Sequence, residues 1–135
     1  MLQAYSSNLT VAANTYFPFN NVTIDKGCAE KLSGPSSIEL NQRGVYLIEV
    51  DGFGTGADAG TGTVQLYVNN VAYPQAISSY PSSTGNVSNF GFKSFVQVAE
   101  NNCNCNCISS PTILQIFSDN DLTEAHINTV VTKIK

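Results

Sequence analysis

Apolar residues recur at every second position along most of this chain. The clearest run is Val45-Tyr46-Leu47-Ile48-Glu49-Val50, which follows the turn-forming segment Asn41-Gln42-Arg43-Gly44. No stretch places apolar residues at i, i+3, i+4 and i+7 over three turns, as an amphipathic helix would. The pattern therefore predicts an all-β chain.

Further runs of this kind, bounded by Gly, Pro, Asn and Ser, predict more strands. They cover Asn14–Phe19, Val22–Ile24, Ser36–Leu40, Thr63–Val68, Val71–Tyr73, Phe90–Val98, Thr112–Phe117 and Ile127–Ile134. The first should be an edge or bulged strand, because Pro18 has no N–H to donate. Asn69-Asn70 predicts a tight hairpin. About eight strands without helices predict a two-sheet antiparallel jelly-roll sandwich.

Two polar or glycine-rich segments are expected to connect these strands. Gly52 to Gly62 holds five glycines and is expected to be a flexible connection or a bulged strand end. It is not a phosphate loop, because a strand follows it where a helix would be needed. Ser78 to Asn89 is expected to be a loop. We expect residues 1–13 to form an N-terminal arm and residues 14–135 to form one jelly-roll domain.

Both faces of the 45–50 strand begin with apolar residues. We expect Tyr46, Ile48 and Val50 to face the core, where Leu66, Phe92 and Ile116 join them. The opposite face is expected to be covered by another subunit. The expected interface residues are Val45, Leu47, Tyr67 and Phe95.

Composition and charge exclude several classes of function. The chain has 135 residues, a net charge of −4 and only six scattered Lys and Arg residues, and 40 residues are Asn, Ser or Thr. A surface of this kind offers no basic patch for a phosphate backbone, so no nucleic-acid partner is expected. No run of 18 apolar residues and no signal peptide is evident, so we expect synthesis in the cytoplasm without membrane insertion.

Catalytic chemistry has little support in the sequence. His126 is the single histidine, and a solvated or hydrogen-bonded side chain is its ordinary interpretation. Asp119 and Asp121 flank a turn and lack the spacing of a calcium loop, so a turn-capping role is favoured over a cation site. We expect a protein that is not an enzyme and has no catalytic residues.

Three of the four cysteines occupy alternate positions, Cys103, Cys105 and Cys107. On an extended strand their thiols would share one face about 6.5 to 7 Å apart, a poor spacing for bonds between neighbours. Cys28 could pair with one of them. Three copies of a cysteine near a symmetry axis would suit a soft metal such as zinc or inter-subunit sulfur bonding. The alternative is a strand-end loop with thiols that act as small apolar groups and bind no cofactor.

The order of these signals resembles a known family. An aromatic-Asn segment at Phe17 to Asn21 precedes Ile38-x-Leu40-x-x-x-Gly44-x-Tyr46, and the LYVNN hairpin, a Phe-rich strand, SPTILQIFSDND and VVTKIK follow. The series is similar to the globular heads of complement-type and tumour-necrosis-factor-like jelly rolls, in particular small versions in bacteriophage virions and bacterial surface fibres. It covers roughly residues 14 to 135. The chain departs from the family in having no collagen-like repeat and no coiled-coil heptads.

The resemblance implies a homotrimer that displays its loops for binding. The expected function is that of a structural or adhesive virion protein: a phage head fibre, a capsid decoration or a receptor-binding tip at the virion surface. Its expected partners are its own copies, other virion proteins and a host-surface glycan. The alternatives are a carbohydrate-binding module, in which Tyr73 and Tyr80 stack on sugar rings, or a protein of the bacterial cell or spore surface.

Overall fold

The computed structural model describes residues 1–99 and 107–135, and for residues 107–110 it describes the backbone alone. Eleven strands and no helix are found in these ranges. The strands are β1 (Leu2–Val11), β2 (Thr15–Tyr16), β3 (Asn21–Asp25), β4 (Glu30–Leu32), β5 (Ile38–Gln42), β6 (Gly44–Gly56), β7 (Gly60–Val68), β8 (Val71–Ser82), β9 (Val87–Val98), β10 (Cys107–Ser118) and β11 (Leu122–Lys133). The predicted all-β class is confirmed.

The strands form two antiparallel sheets. Sheet A has the order β3-β1-β11-β6-β9, and sheet B has the order β4-β5-β10-β7-β8, with the short β2 paired to β10. One buried cluster between the sheets draws its side chains from both. This arrangement confirms the predicted jelly-roll sandwich.

The core contains the expected inward face of β6. Tyr46 and Ile48 are fully buried, and Val50 is nearly so. Leu66 and Ile116 reach the same cluster from sheet B, whereas Phe92 is half-buried and packs against it. Each chain segment therefore contributes alternate residues to the interior, as the period of two requires.

The turn before β6 depends on the Gly44-x-Tyr46 pair. The Tyr46 hydroxyl donates a hydrogen bond of 2.6 Å to the Gln42 carbonyl oxygen, four residues earlier. Gly44 has a φ of +146°, and a Cβ there would lie 2.1 Å from the Lys135 carbonyl oxygen. A glycine is needed because any side chain would collide with the end of the chain.

The expected N-terminal arm is wrong, because residues 2–11 form strand β1 inside sheet A. The strand lies between β3 and β11, and Leu2 and Ala4 have no exposed surface. Ser6 also faces inward, where its hydroxyl donates to the Pro18 carbonyl oxygen and accepts from the Asn20 N–H, both at 2.7 Å. These two bonds satisfy a buried polar group that the sequence pattern does not mark as a core residue.

Several predicted boundaries also change. The predicted strand at Asn14–Phe19 shrinks to β2, although Phe17 and Phe19 are buried. The predicted loop at 78–89 is only residues 83–86, because β8 continues to Ser82 and β9 begins at Val87. The glycine-rich segment is mostly strand, with a connection at 57–59. The predicted tight hairpin is confirmed by the left-handed φ angles of Asn69 and Asn70, 51° and 65°.

Candidate self-association surface

The outward side of sheet A carries a mixed apolar and polar surface. We call the outward side chains of β1, β6, β9 and β11 the sheet A face. At one end of it Leu47 lies opposite Phe95 in the β6–β9 register, and Val45 lies opposite Gln97. Phe95 is 58% exposed, an unusual state for a phenylalanine in the middle of a strand.

The other end of the sheet A face is aromatic. The Phe53 ring is 41% exposed and stacks on His126 with a centroid distance of 5.3 Å and an interplanar angle of 13°. The Tyr5 ring lies 6.2 Å from the same imidazole. His126 is therefore half-buried between rings rather than solvated, and its neighbours extend the apolar surface.

Polar groups separate the two apolar ends. Lys93 Nζ lies 3.5 Å from Glu49 Oε2, and Gln3 Nε2 donates to Asn128 Oδ1 at 3.1 Å. Gly91 faces Asp51 across the β6–β9 pair, so no side chain fills the notch above it. The notch is a shallow cavity of about 340 Å³ that Glu49, Asp51 and Lys93 help to line. A partner with matching polar groups would have one preferred orientation on this face.

Three of the four predicted interface residues lie on this face. Tyr67 lies instead on the outward side of sheet B, where its ring is 4.9 Å from Phe117 and 5.6 Å from Tyr16. Burial, and to a lesser extent the nearby Tyr67, raise the pKa of Tyr16. The sheet A face thus brings Val45, Leu47 and Phe95 together, and Tyr67 belongs to a separate aromatic group.

Two contributors to the sheet A face are absent from the sequence-based predictions. Phe53 lies in the glycine-rich segment that was expected to be a connection, and Tyr5 lies in the expected arm. The glycines at 52, 54 and 56 alternate with larger residues, so a strand here would have glycines on one face and the larger side chains on the other. That alternation is the signal that places Phe53 on the outward side.

The proposed sugar-stacking pair is contradicted for Tyr80. This residue is 3% exposed and its ring covers Gly62, where a Cβ would lie 2.2 Å from the ring. A sugar has no access to a ring in that position. Tyr73 is half-buried against the core, and its hydroxyl donates to the Phe95 carbonyl oxygen at 2.9 Å. The two tyrosines therefore do not form an exposed stacking platform.

The two aspartates of the predicted turn hold backbone groups. Asp119 Oδ1 accepts a bond of 2.7 Å from the Thr63 N–H, and Asp121 Oδ1 accepts one of 2.8 Å from the Ala13 N–H. Carboxylates in these positions tie the 118–121 turn to β7 and to the segment after β1. This geometry fits the favoured turn-capping role.

Part of the cysteine prediction falls outside the described residues. Cys103 and Cys105 lie there, and Cys107 begins β10 with its backbone opposite Gln42. Cys28 is exposed, and its Sγ accepts a hydrogen bond of 3.4 Å from Gln42 Nε2. Within residues 1–99 and 111–135, no three metal-ligating side chains converge. The metal and sulfur hypotheses for this segment stay predictions.

The described part of the chain contains no helix long and apolar enough to cross a membrane.

Comparison with solved structures identifies the fold. The globular domain of zebrafish complement 1qA aligns with 99% of this chain and 96% of its own, at 12% identity and a TM-score of 0.66. Murine APRIL aligns with 98% of each chain at 6% identity and a TM-score of 0.70. The vertex protein P5 of PRD1 covers 99% of this chain and 96% of its own, at 17% identity and a TM-score of 0.64.

Sequence comparison adds nothing to this result, since no family model and no curated protein matches the chain. At these identities the likeness shows the fold alone. The chain has the jelly-roll fold of the complement-type and tumour-necrosis-factor-like heads, as the order of its sequence signals predicts.

Proposed function

We propose that this chain, a jelly roll of the complement and tumour-necrosis-factor type, is a non-enzymatic structural or adhesive protein of a virion that works as a homotrimer. The sheet A face carries the proposal. Phe95 and Phe53 mark its two ends, and aromatic side chains that are 58% and 41% exposed on strands favour contact with another protein surface. Copies of the same chain are the simplest partners for it, because closed symmetric self-association is common, and the likeness to the complement-type and tumour-necrosis-factor-like heads favours three copies.

A virion location is supported by one comparison, since one of the solved structures with this fold is a vertex protein, that of PRD1. The chain itself adds a polar exterior with few charges and many Asn, Ser and Thr residues. On this proposal the head decorates a capsid or caps a fibre, and the loops between strands contact other virion proteins or a glycan on the host.

The non-enzymatic part of the proposal is supported by the environment of three titratable side chains. His126 stacks between Phe53 and Tyr5, and Asp119 and Asp121 are bonded to backbone N–H groups. A general base must reach a proton on a substrate or nucleophile in a cleft. None of these three side chains is placed in that way.

Light scattering after size-exclusion chromatography tests the assembly. We expect a mass about three times the chain mass of 14.4 kDa at micromolar concentration. A mass equal to one chain at every concentration would remove the homotrimer from the proposal.

Mass spectrometry of purified phage particles tests the location. Antibodies against the chain should label the outside of those particles in electron micrographs. Recovery of the protein from bacterial cell or spore surfaces, and not from particles, would instead support the alternative of a bacterial surface protein.

A further inference from the structure

Three aromatic side chains lie together on the outward side of sheet B. We call Tyr16, Tyr67 and Phe117 the sheet B aromatic surface. Each ring contacts the other two, with centroid distances of 4.9 Å for Tyr67 and Phe117, 5.6 Å for Tyr16 and Tyr67, and 5.8 Å for Tyr16 and Phe117. All three side chains are half-buried. Because these contacts restrict the rings, the surface has its shape before any ligand arrives.

The planes of the three rings form a corner. Tyr67 and Phe117 are inclined to each other by 36°, whereas Tyr16 meets them at 76° and 69°. The first two rings are thus closer to a common plane, and the third stands steeply beside them. A ligand that enters this corner contacts more than one ring.

Amide side chains alternate with the rings across the strands. In the β10–β7 register, Phe117 lies opposite Gln65 and Gln115 lies opposite Tyr67. Tyr16 of β2 lies opposite Phe117 on its other side. Directly opposed residues on one face of two antiparallel strands have Cβ atoms about 5 Å apart. Both amides therefore border the aromatic surface.

Several polar groups at this surface are available to a ligand. Within the described part of the chain, the Tyr16 and Tyr67 hydroxyls and the Gln115 amide have no hydrogen-bond partner. Gln65 Nε2 donates to the Tyr73 carbonyl oxygen at 3.3 Å, which orients that amide and leaves its oxygen as an acceptor. A ligand with many hydroxyl groups matches this set of donors and acceptors.

The side chains of the surface are uncharged, and two carboxylates near its border are engaged with other groups. Asp119, which follows β10, accepts a bond of 2.7 Å from the Thr63 N–H. Glu39 lies opposite Ile113 of β10, and its Oε2 is 3.9 Å from Lys31 Nζ. An ionic ligand would find no counter-charge among the rings and amides, so an uncharged ligand is favoured.

The size of the surface limits the kind of partner. Three half-buried rings together expose on the order of 200 Å². A stable protein interface buries about 800 Å² on each partner, which is far more. A ligand of one or two sugar rings matches the smaller area. The surface also lies on the sheet opposite to the sheet A face, so it remains accessible when copies associate through that face.

We propose that the sheet B aromatic surface binds an uncharged glycan, with one sugar ring stacked on Tyr67 and Phe117. The C–H groups of a sugar ring carry a small positive charge, which the negative face of an aromatic ring attracts. The hydroxyls at the edge of the sugar then reach the Gln65 and Gln115 amides. This inference rests on the adhesive role proposed above, and it assigns the glycan to a sheet surface rather than to the loops.

Backbone amide NMR spectra recorded during titration with cellotriose, chitotriose and mannotriose test the proposal. At least one of these uncharged trisaccharides should shift the signals of β2, β7 and β10 near the three rings and leave those of β9 and β11 unchanged. Shifts confined to sheet A or to the connections between strands would overturn the assignment. An absence of shifts with all three sugars at millimolar concentration would do the same.

Gln115→Ala tests the polar part of the site. It should weaken binding of the trisaccharide that gives shifts by about three- to tenfold, because a hydrogen bond to the sugar is lost. Gln97→Ala is the matched control, since it makes the same change at an exposed side chain opposite Val45 on the sheet A face. Its affinity should equal that of the unmodified protein. Both variants should keep the unfolding midpoint, because both side chains project away from the core.

Tyr67→Ala tests the stacking part of the site. Removal of this ring should weaken binding at least about tenfold. Phe53→Ala is the control for it, because it removes a partly exposed ring from the sheet A face and should leave the affinity for the sugar unchanged. Unchanged affinities in both Gln115→Ala and Tyr67→Ala would overturn the proposal.

The light-scattering mass of each sample separates this proposal from the homotrimer. Sugar binding by a protein with the mass of one chain would support the glycan site and remove the trimer. A trimer whose spectrum no sugar changes would do the reverse.

Discussion

Replacement of Phe95 by glutamine should weaken self-association strongly. The side chain is 58% exposed in the single chain, and a phenylalanine buries roughly 200 Å² when fully enclosed. About 115 Å² is therefore available for burial by a partner, which corresponds to about 3 kcal/mol per chain at 25 cal/mol per Å². Since 1.4 kcal/mol corresponds to a factor of ten, the substitution should lower the association constant by a factor of about 100 for each chain in the assembly.

Ile77→Gln is the matched control for this change. Ile77 is 46% exposed and lies on β8 of sheet B, in register with Gln65 on the outward side. The variant removes a similar apolar group from a strand without touching the sheet A face. Both proteins are to be measured by sedimentation velocity over a hundredfold range of concentration.

Phe95→Gln should dissociate at concentrations where Ile77→Gln and the unmodified protein remain assembled. The unfolding midpoints of the isolated chains should stay similar, because both side chains project away from the core. Dissociation of Ile77→Gln with an intact Phe95→Gln assembly would refute the reasoning and move the interface to sheet B.

Three further changes concern single side chains, and each is measured by chemical denaturation. Tyr80→Phe should stabilise the fold by about 1 kcal/mol, because the buried hydroxyl has no partner among the described residues; a loss of that size would contradict this reading. Burial raises the pKa of Tyr46 to about 12 from an ordinary value near 10; the bond to Gln42 opposes this shift and the charge of Glu30 adds to it. The free energy of unfolding should therefore be constant below pH 10 and fall by up to about 2.7 kcal/mol toward pH 12. An equally steep fall in Tyr46→Phe would exclude this residue as the cause. Gly52→Ala should cost about 2 to 3 kcal/mol, since its Cβ would lie 2.2 Å from the His126 carbonyl oxygen, and a loss below 0.5 kcal/mol would show that the strands move apart freely.

The strands that the sequence predicts well are those whose inward residues are large and apolar. Strand β6 follows its alternation, because Tyr46 and Ile48 leave no doubt about which side is buried. Strand β1 is not predicted by the same reasoning, because the small Ala4 and the polar Ser6 occupy inward positions where a large apolar residue would mark the buried side. The hydrogen bonds of Ser6 come from a segment twelve to fourteen residues later, and no local pattern contains them.

The expected loop at 78–89 fails for a related reason. Tyr80 and Ser82 face inward on β8, opposite Gly62 and Gly60, so a bulky ring on one strand fills the space above a glycine on the other. Ser82 donates to the Asp58 carbonyl oxygen at 2.7 Å and is buried with that bond. These positions belong to the core because the side chains of β8 fit the space left by the glycines of β7. The sequence of each strand alone shows mainly polar or small residues there.

The candidate site was predicted in part. The period of two correctly placed Val45 and Leu47 on the face opposite to Tyr46, and Phe95 joined them through the register of β9. Tyr67 could not be assigned by the same means, because periodicity tells which residues share a face of a strand but not which sheet receives the strand.

The hydrogen bonding of β1 to β11 joins the first strand of the chain to the last. Strand β1 can pair early with β3, which lies close to it in sequence, but its pairing with β11 spans more than a hundred residues. Sheet A therefore stays incomplete until β11 has been synthesised and has docked. We expect self-association only after that step, because the outward residues of β11 belong to the surface through which copies are proposed to meet.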